Sequence, residues 1–245
     1  MQQTAVSRIH QSWLANSERQ LLIWMAARLP AFVMPDHLTL FGLVGALLCG
    51  IAYAAGSLSP WLLAPACLGL VINWFGDSLD GSLARVRRTE RPRYGFFIDH
   101  TTDVVSQVFI FMGLGLSPFM HMQTACLTLM AYWIAALYTF IRAVATGKFQ
   151  ISYFGIGPTE IRLGLLGYNL LLALFGPMTF ATWMGPMSLI DVIGTAIFGV
   201  VFLSFLTMIW SEGRRLAALE APPPDRTVPL AGWDDELRTG THGAP

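Results

Sequence analysis

Residues 76–103 have the sequence GDSLDGSLARVRRTERPRYGFFIDHTTD, which lies between two long apolar stretches of the chain. The segment contains four aspartates in two pairs: Asp77 with Asp80, and Asp99 with Asp103. Members of a pair are three or four residues apart, so in a helix they lie on the same face. The connecting residues, 86–94, are rich in arginine and are expected to form a loop. The segment therefore predicts two helices joined by a short loop, with four carboxylates near the loop-side ends of both helices.

The sequence on either side of this segment is typical of a membrane protein. Of the 245 residues, 54% are hydrophobic and only 12% are charged, whereas about 25% are charged in soluble domains. Four long stretches contain no Asp, Glu, Lys or Arg: 37–76, 104–141, 163–190 and 192–211. A helix crosses the ~30 Å apolar core with about 20 residues, and turns rich in Ser and Pro divide the first two stretches. This pattern excludes an ordinary water-soluble enzyme and predicts six spans.

We therefore expect an all-α, polytopic membrane protein with six transmembrane helices. The expected spans are 37–56, 60–85, 96–116, 121–146, 159–180 and 188–211. With this arrangement all 15 Lys and Arg residues lie on one side of the membrane, although the net charge is zero. Because positively charged loops stay in the cytoplasm, both termini and the four aspartates are expected on the cytoplasmic side of a bacterial inner membrane. Asp191 lies alone on the other side and is expected to cap a helix.

The chain divides into three expected regions. Residues 1–35 form a cytoplasmic segment with an amphipathic helix on the membrane surface, residues 36–212 form the six-helix domain, and residues 213–245 form a cytoplasmic, disordered tail. The amphipathic helix is expected to begin near Asn16 and to place apolar side chains around two arginines. The residues concerned are Leu21, Leu22, Trp24, Met25 and Leu29, with Arg19 and Arg28.

Four carboxylates at one rim of a membrane protein repel one another unless positive charge compensates them. Two divalent cations would do so, and oxygen ligands without a nearby His or Cys cluster favour Mg²⁺ or Mn²⁺ over zinc. Gly81 and Ala84 leave room for a ligand beside the first pair, and Arg85 can bind a phosphate. The alternative is purely structural, with the acids capping helix ends or pairing with the loop arginines. We favour a site in which two metal ions hold a phosphate and the oxygen that attacks it.

The same segment resembles the signature of the CDP-alcohol phosphotransferase family, also called the CDP-alcohol phosphatidyltransferase family. That signature reads D-x-x-D-G-x-x-A-R, then a short loop, then G-x-x-x-D-x-x-x-D. All of its fixed positions are present: Asp77, Asp80, Gly81, Ala84, Arg85, Gly95, Asp99 and Asp103. The stretch from Pro35 to Thr39 is also similar to the Pro-x-x-x-Thr pattern that opens the family's first membrane helix.

The resemblance implies an enzyme of phospholipid biosynthesis that transfers a substituted phosphate from a CDP-alcohol to a hydroxyl and releases CMP. It implies two divalent cations, Mg²⁺ or Mn²⁺, on the four aspartates, and it implies a set of residues beside the nucleotide: Asp77, Asp80, Gly81, Ala84 and Arg85. Asp103 is implied as the general base, since the carboxylate least committed to metal can best accept a proton. The implied partners are the donor, an alcohol or lipid acceptor, membrane lipid and a second copy of the chain, but no nucleic acid.

The substrates remain open at this point. Asp99 followed by His100 is similar to a variant found in choline and ethanolamine phosphotransferases, which use a CDP-amino-alcohol and diacylglycerol. The stretch from Gly157 to Glu160 is similar to the start of their fifth span. The short chain is nearer in size to prokaryotic phosphatidyltransferases, so we favour CDP-diacylglycerol as the donor. Four residues are candidates for the acceptor pocket, with interfacial anchoring as their alternative role: His100, Arg142, Glu160 and Arg162.

Two other classes of membrane protein also carry acids within helices. UbiA-like prenyltransferases separate their two acidic motifs by several helices, whereas only 18 residues lie between Asp80 and Asp99. Cation transporters place acids near the middle of the bilayer, whereas these acids are expected at its rim. The spacing therefore favours the phosphotransferase over both classes. For the base, His100 and Glu160 remain alternatives to Asp103.

Overall fold

The computed structural model describes residues 7–9, 15–146, 148–150, 157–182 and 185–220. Within these ranges the chain is predominantly helical, which confirms the all-α class. The α-helices are α1 (Ala15–Ala26), α2 (Pro35–Ala54), α3 (Leu63–Val86), α4 (Pro92–Gly115), α5 (Met122–Thr146), α6 (Pro158–Phe175) and α7 (Leu189–Leu219). A 3₁₀ turn, Pro60–Leu62, leads directly into α3. The chain divides into two units, Met1–Phe205 and Leu206–Pro245, and the candidate site lies in the first.

Four of the helical segments are long and apolar enough to cross a membrane. They are Pro35–Ala54, Pro60–Val86, Met122–Thr146 and Leu189–Leu219. These segments coincide with the first, second, fourth and sixth expected spans. Helices α4 and α6 occupy the places of the third and fifth, and their apolar character is interrupted by charged residues: Asp99 and Asp103 in α4, and Glu160 and Arg162 in α6. The structure thus shows a helical protein with several membrane-length helices.

Two helix ends differ from the sequence expectation. Helix α6 ends at Phe175, before residue 180, because Gly176 adopts a positive φ of 72° and a proline follows it. Helix α7 continues to Leu219, into the region expected to be a tail from residue 213 onward. The additional residues, 213–219, include Arg, Leu and Ala, which are good helix formers. The remainder of the expected tail, 221–245, lies outside the described residues.

Two short strand pairs accompany the helices and were not predicted. Strands β1 (Ser7–Ile9) and β2 (Lys148–Gln150) pair in parallel. Strands β3 (Thr179–Thr182) and β4 (Gly185–Ser188) form an antiparallel pair between α6 and α7. Only residues 179 and 180 of the second pair fall within the expected fifth span, and most of the pair lies between the fifth and sixth expected spans.

Glycines bring α2, α3 and α4 into near backbone contact. A Cβ atom at Gly45 would lie 2.6 Å from the backbone nitrogen of Asn73, so no side chain fits between α2 and α3 there. On the α4 side, a Cβ at Gly50 would overlap the carbonyl oxygen of Phe109, and one at Gly113 would overlap the backbone of Gly50. Small residues allow this close packing in membrane helices. The two aspartate-bearing helices are thus both packed closely against α2.

Helix α1 lies at its expected place in the sequence and packs on α3. Leu22 and Ala26 belong to a buried cluster with Leu38, Leu79 and Leu83. The carboxylate of Glu18 accepts hydrogen bonds of 2.8 Å from Trp74 Nε1 in α3 and from Thr159 Oγ1 in α6. The helix is therefore held at the same end of the protein as the aspartates.

The connection between α1 and α2 is held by the loop after α3. Arg87 donates to the backbone carbonyl groups of Leu29, Pro30 and Val33. Arg91 donates to Asp36 in the first turn of α2, and this carboxylate raises the pKa of the Arg91 guanidinium. Part of the arginine-rich loop therefore has a structural role.

Polar contacts also connect the helices at the end of the protein opposite the aspartates of α3 and α4. Tyr53 Oη donates to Asn169 Oδ1 over 2.9 Å, which joins α2 to α6. Asp191 caps α7 as expected, because it accepts from the backbone nitrogen and hydroxyl of Ser188. It is not alone, however, since it also accepts from the backbone nitrogen of His121 at 2.8 Å and contacts the ring of that residue.

Candidate active site

The structure brings the two aspartate pairs together between α3 and α4. Asp103 of α4 interacts electrostatically with Asp77 of α3 and with Asp99. Asp80 interacts electrostatically with both Asp77 and Asp99. The four acids expected from the sequence to converge therefore form one cluster.

Asp77 is held by a residue from a distant helix. Arg162 Nη2, in α6, donates to Asp77 Oδ2 over 2.8 Å. Both side chains are largely buried, with 11% of Arg162 and 20% of Asp77 exposed, so solvent screens this ion pair only weakly. Arg162, a candidate for the acceptor pocket, thus lies directly on the carboxylate cluster.

Asp80 is held by the start of α2. Its Oδ2 accepts a 2.6 Å hydrogen bond from Thr39 Oγ1, and its Oδ1 accepts one of 2.5 Å from the backbone nitrogen of Gly81. The residue is 8% exposed. Thr39 belongs to the Pro-x-x-x-Thr stretch singled out above, and this contact supplies a physical reason for a hydroxyl at that position.

Asp99 is more exposed than Asp77, with 43% of its side chain accessible to solvent. Its Oδ2 lies 3.3 Å from Nδ1 of His100. The same His100 nitrogen lies 2.9 Å from the carbonyl oxygen of Phe96, and the ring packs against Phe96 and Phe140 with centroid separations of 4.2 and 5.3 Å. These contacts hold His100 between α4 and α5.

The residues expected beside a nucleotide lie along the last turns of α3. Arg85 Nη2 donates to Ser82 Oγ over 3.0 Å. A Cβ at Gly81 would lie 3.4 Å from Arg85 Nη1, so the guanidinium rests over the glycine. Arg85 is exposed, and Ala84 is half-buried. The guanidinium is therefore accessible to a ligand that approaches this end of α3.

The other acceptor-pocket candidates are spread around the cluster. Glu160 Oε2 accepts a 2.9 Å hydrogen bond from the backbone nitrogen of Gly157, the N-cap residue of α6. Arg142 is half-buried near the end of α5. Of the four candidates, Arg162 is the residue for which the structure shows direct contact with an aspartate on α3.

A small cavity of about 30 Å³ lies beside Asp103 and Arg162. Its polar lining includes Ser106, Gln107 and Tyr132, which sequence reasoning did not identify. Ser106 and Gln107 follow Asp103 by three and four residues, so helical spacing could have found them. Tyr132 is on α5 and interacts electrostatically with Asp103, and no local pattern marks it.

The composition of the cluster fits a hard divalent cation. All four candidate ligands are carboxylates, and Asp103 interacts electrostatically with Asp77 and Asp99, so a proton or a cation would offset their repulsion. Arg162 supplies one positive charge to Asp77. Among the described residues, however, no three His, Cys, Asp or Glu side chains converge as a ready-made metal site. Asp77 and Asp80 are instead turned toward Arg162 and Thr39.

Fold and site together define a helical membrane protein with a cluster of acids at one end of its bundle. Residues 32–210 match the family model for CDP-alcohol phosphatidyltransferase. The chain belongs to this family, as the signature in residues 77–103 predicted.

Curated relatives fall into two groups. Cholinephosphotransferase 1 of Danio rerio is 25% identical over 191 residues, which cover 65% of this chain and 50% of the relative. Archaetidylinositol phosphate synthase of Methanothermobacter thermautotrophicus is 36% identical over 94 residues, 38% of this chain and 45% of the relative. Phosphatidylinositol phosphate synthase of Cutibacterium acnes is 39% identical over 93 residues, 37% and 41% of the two chains. The matched regions thus span about half or less of these relatives.

Proposed function

We propose that this protein is an integral-membrane transferase that moves a substituted phosphate from a CDP-alcohol to an acceptor hydroxyl and releases CMP. The observation that carries the proposal is the gathering of Asp77, Asp80, Asp99 and Asp103 into one cluster whose carboxyl groups interact electrostatically. A compact group of acids can hold cations that bind a diphosphate. Family membership supports the same reaction class.

In this proposal Asp103 accepts the proton of the acceptor hydroxyl. The resulting oxygen attacks the β-phosphorus of the CDP-alcohol, the bond from that phosphorus to the CMP oxygen breaks, and the proton stays on Asp103 until it passes to solvent. Asp103 borders a small cavity that has room for a water molecule, and such a water could carry the proton away from the carboxyl group. His100 and Glu160, the alternative bases, make contacts of their own with Phe96 and Gly157.

The four aspartates would together hold two Mg²⁺ or Mn²⁺ ions. When bound, such ions neutralise phosphate charge and make CMP a better leaving group. Arg85 would bind the diphosphate, with Gly81 and Ala84 leaving room for it. The exposed guanidinium of Arg85 over Gly81 supports this assignment.

For the donor we favour CDP-diacylglycerol, with a choline or ethanolamine type of reaction as the alternative. The archaetidylinositol phosphate and phosphatidylinositol phosphate synthases have a higher sequence identity to this chain than the cholinephosphotransferase has, but over a shorter region. The cholinephosphotransferase match is weaker in identity but covers 65% of the chain. The alternative therefore rests on the longer alignment, together with His100 after Asp99.

We further propose that α4 and α6 also cross the membrane, which gives six spans with the aspartates and the chain ends on the cytoplasmic side. Helix α1 would lie at the membrane surface. Its exposed apolar side chains support this placement, since Leu21, Ile23 and Trp24 are 45%, 45% and 54% exposed. A bacterial inner membrane and a homodimer complete the proposal.

The test is CMP release by the purified, detergent-solubilised protein. With Mg²⁺ and an acceptor panel of small alcohols, polyol phosphates and diacylglycerol, we expect CMP from CDP-diacylglycerol. CMP from CDP-choline or CDP-ethanolamine with diacylglycerol would establish the alternative. Absence of CMP from every pair of donor and acceptor would refute the proposed reaction class.

A further inference from the structure

Arg162 contacts α3 at two positions one helical turn apart. Its Nη2 donates to Asp77 Oδ2 over 2.8 Å, and its Nε donates to Asn73 Oδ1 over 2.9 Å. The Arg162 side chain is only 11% exposed, and Asn73 is 2% exposed. Two directed hydrogen bonds from one planar guanidinium fix its orientation, which a single contact would leave free to rotate.

Asn73 is itself fixed by a third helix. Its Nδ2 donates to the backbone carbonyl oxygen of Gly42 over 3.1 Å. At the same place, a Cβ on Gly42 would lie only 3.1 Å from the backbone nitrogen of Asp77, so α2 and α3 are in close contact. The series Gly42, Asn73, Arg162, Asp77 therefore links α2, α3 and α6 through buried polar atoms.

We propose that Arg162 is a positioning residue for Asp77 and that Asn73 anchors Arg162 in the required orientation. This inference rests on the proposed function, in which Asp77 holds a divalent cation. The guanidinium occupies Oδ2 of Asp77 and sets the direction in which the carboxylate presents its other oxygen. Side chains that orient a metal ligand typically change metal affinity 10- to 100-fold when they are removed.

The decisive variant is Asn73→Ala, because it leaves every charge of the cluster in place. Mn²⁺ binding by the solubilised protein, measured by electron paramagnetic resonance without nucleotide, should weaken roughly 10-fold or more. Asn169→Ala is the matched control, since Asn169 is also buried and bonds to Tyr53 and Cys67 away from the aspartates. Its Mn²⁺ affinity should stay within about threefold of wild type, because Asn169 does not belong to the series of contacts that leads to Asp77.

Arg162→Lys provides a second variant that keeps the positive charge but loses the two-point geometry. It should weaken Mn²⁺ binding to a similar degree. The double variant Asn73→Ala/Arg162→Lys should have a Mn²⁺ affinity within about threefold of that of Arg162→Lys alone, because both substitutions disrupt the same series of contacts to Asp77. In turnover assays, kcat should fall while KM for the acceptor changes only a few-fold. Size-exclusion profiles identify any variant that fails to fold, in which case the other single variant carries the test.

Three results would overturn the inference. They are wild-type Mn²⁺ affinity in both single variants, fully additive losses in the double variant, or a raised acceptor KM with kcat and Mn²⁺ binding unchanged. The last result would indicate that Arg162 binds the acceptor and does not position Asp77. If the wild type binds Mn²⁺ but releases no CMP from any donor, the proposed function fails while the Mn²⁺ series still decides the role of Arg162. A wild type that binds no Mn²⁺ would refute both.

Discussion

Individual side chains at the aspartate cluster are held by partners of different kinds. Asp77 receives a guanidinium, Asp80 a hydroxyl and a backbone nitrogen, and Asp99 lies beside an imidazole. Asp103 interacts electrostatically with Asp77 and with Arg162. Each of the four acids is thus held by a different set of neighbours.

Replacement of Asp77, Asp80 or Asp99 by Asn should abolish CMP release. Each change removes a proposed cation ligand with almost no change in volume, so insertion and folding should be preserved. The measurement is the initial rate at saturating Mg²⁺, beside the size-exclusion profile of each variant. EDTA should inactivate the wild type, and added Mg²⁺ or Mn²⁺ should restore it. Activity within tenfold of wild type in any of the three variants would contradict the assignment.

Asp103→Asn should separate chemistry from binding. A general base acts in the transition state, so kcat should fall at least ~10²-fold while binding of the CDP-donor changes only a few-fold. Donor binding is measured by calorimetry with Mg²⁺ present. A comparable collapse of binding would mark Asp103 as chiefly a metal ligand. His100→Gln and Glu160→Gln, assayed in parallel, identify the base if Asp103→Asn stays active.

Thr39→Val should lower activity without abolishing it. The hydroxyl donates a 2.6 Å hydrogen bond to the buried Asp80 carboxylate, and a hydrogen bond to a charged group contributes about 1.5–3 kcal/mol. A loss of this size in the transition state corresponds to roughly 10- to 150-fold in kcat/KM. Thr39→Ser keeps the hydroxyl and is the control, which should remain within a few-fold of wild type. Equal losses in the two variants would assign the effect to packing of the methyl group.

At the level of helices, glycine contacts decide how closely α4 approaches α2. Gly50 of α2 and Gly113 of α4 lie where neither helix tolerates a side chain. Because α4 carries Asp99 and Asp103, any displacement of α4 moves two of the four acids. Stability and activity are therefore coupled through this packing.

Gly50→Ala should lower both the thermal unfolding midpoint and the activity. The added Cβ would overlap the carbonyl oxygen of Phe109, which is backbone and cannot turn away. Gly199→Ala in α7 is the matched control, since a Cβ there meets nothing within 4 Å. It should leave the midpoint unchanged or raise it, because alanine favours a helix over glycine by about 1 kcal/mol. An unchanged midpoint for Gly50→Ala would show that the two helices are less closely packed.

For the molecule as a whole, much of the apolar side-chain surface of the described residues is exposed. Helix α7 contains the most apolar window, with a mean hydropathy of 2.4, yet only 6% of that window is buried within the protein. Large apolar side chains are also exposed on other helices, among them Trp61 at 86% and Val144 at 90%. Surface of this kind is stable when acyl chains cover it.

The proposed topology is tested with single cysteines on a background without Cys49, Cys67 and Cys126. Ser57 and Thr89 are both exposed in the structure, so each should accept a thiol reagent. A cysteine at Ser57 should react with an impermeant reagent from outside intact cells. One at Thr89 should react only after the membrane is opened, because the arginine-rich loop is placed in the cytoplasm. Labelling of position 89 from outside would reverse the orientation.

The sequence by itself determined the helical class, the approximate position of the long helices and the family. Those features depend on local pattern: apolar runs between residues 37 and 211, and aspartates three or four residues apart. The signature in residues 77–103 even included the small residue under Arg85, because Gly81 and Arg85 are neighbours on one helix. Asp191 as a helix cap was predictable for the same reason, since Ser188 lies one turn before it.

Tertiary structure alone decided what surrounds the four acids. Arg162 is 85 residues from Asp77, and Thr39 is 41 residues from Asp80. Tyr132 meets Asp103 from another helix. No periodicity encodes such pairs, because they depend on helix rotation and on the close approach that interhelical glycines permit. A charged residue near a helix end is equally compatible with an interfacial anchor and with a buried partner for a carboxylate, and only the packing of α2, α3 and α6 distinguishes these roles for Arg162.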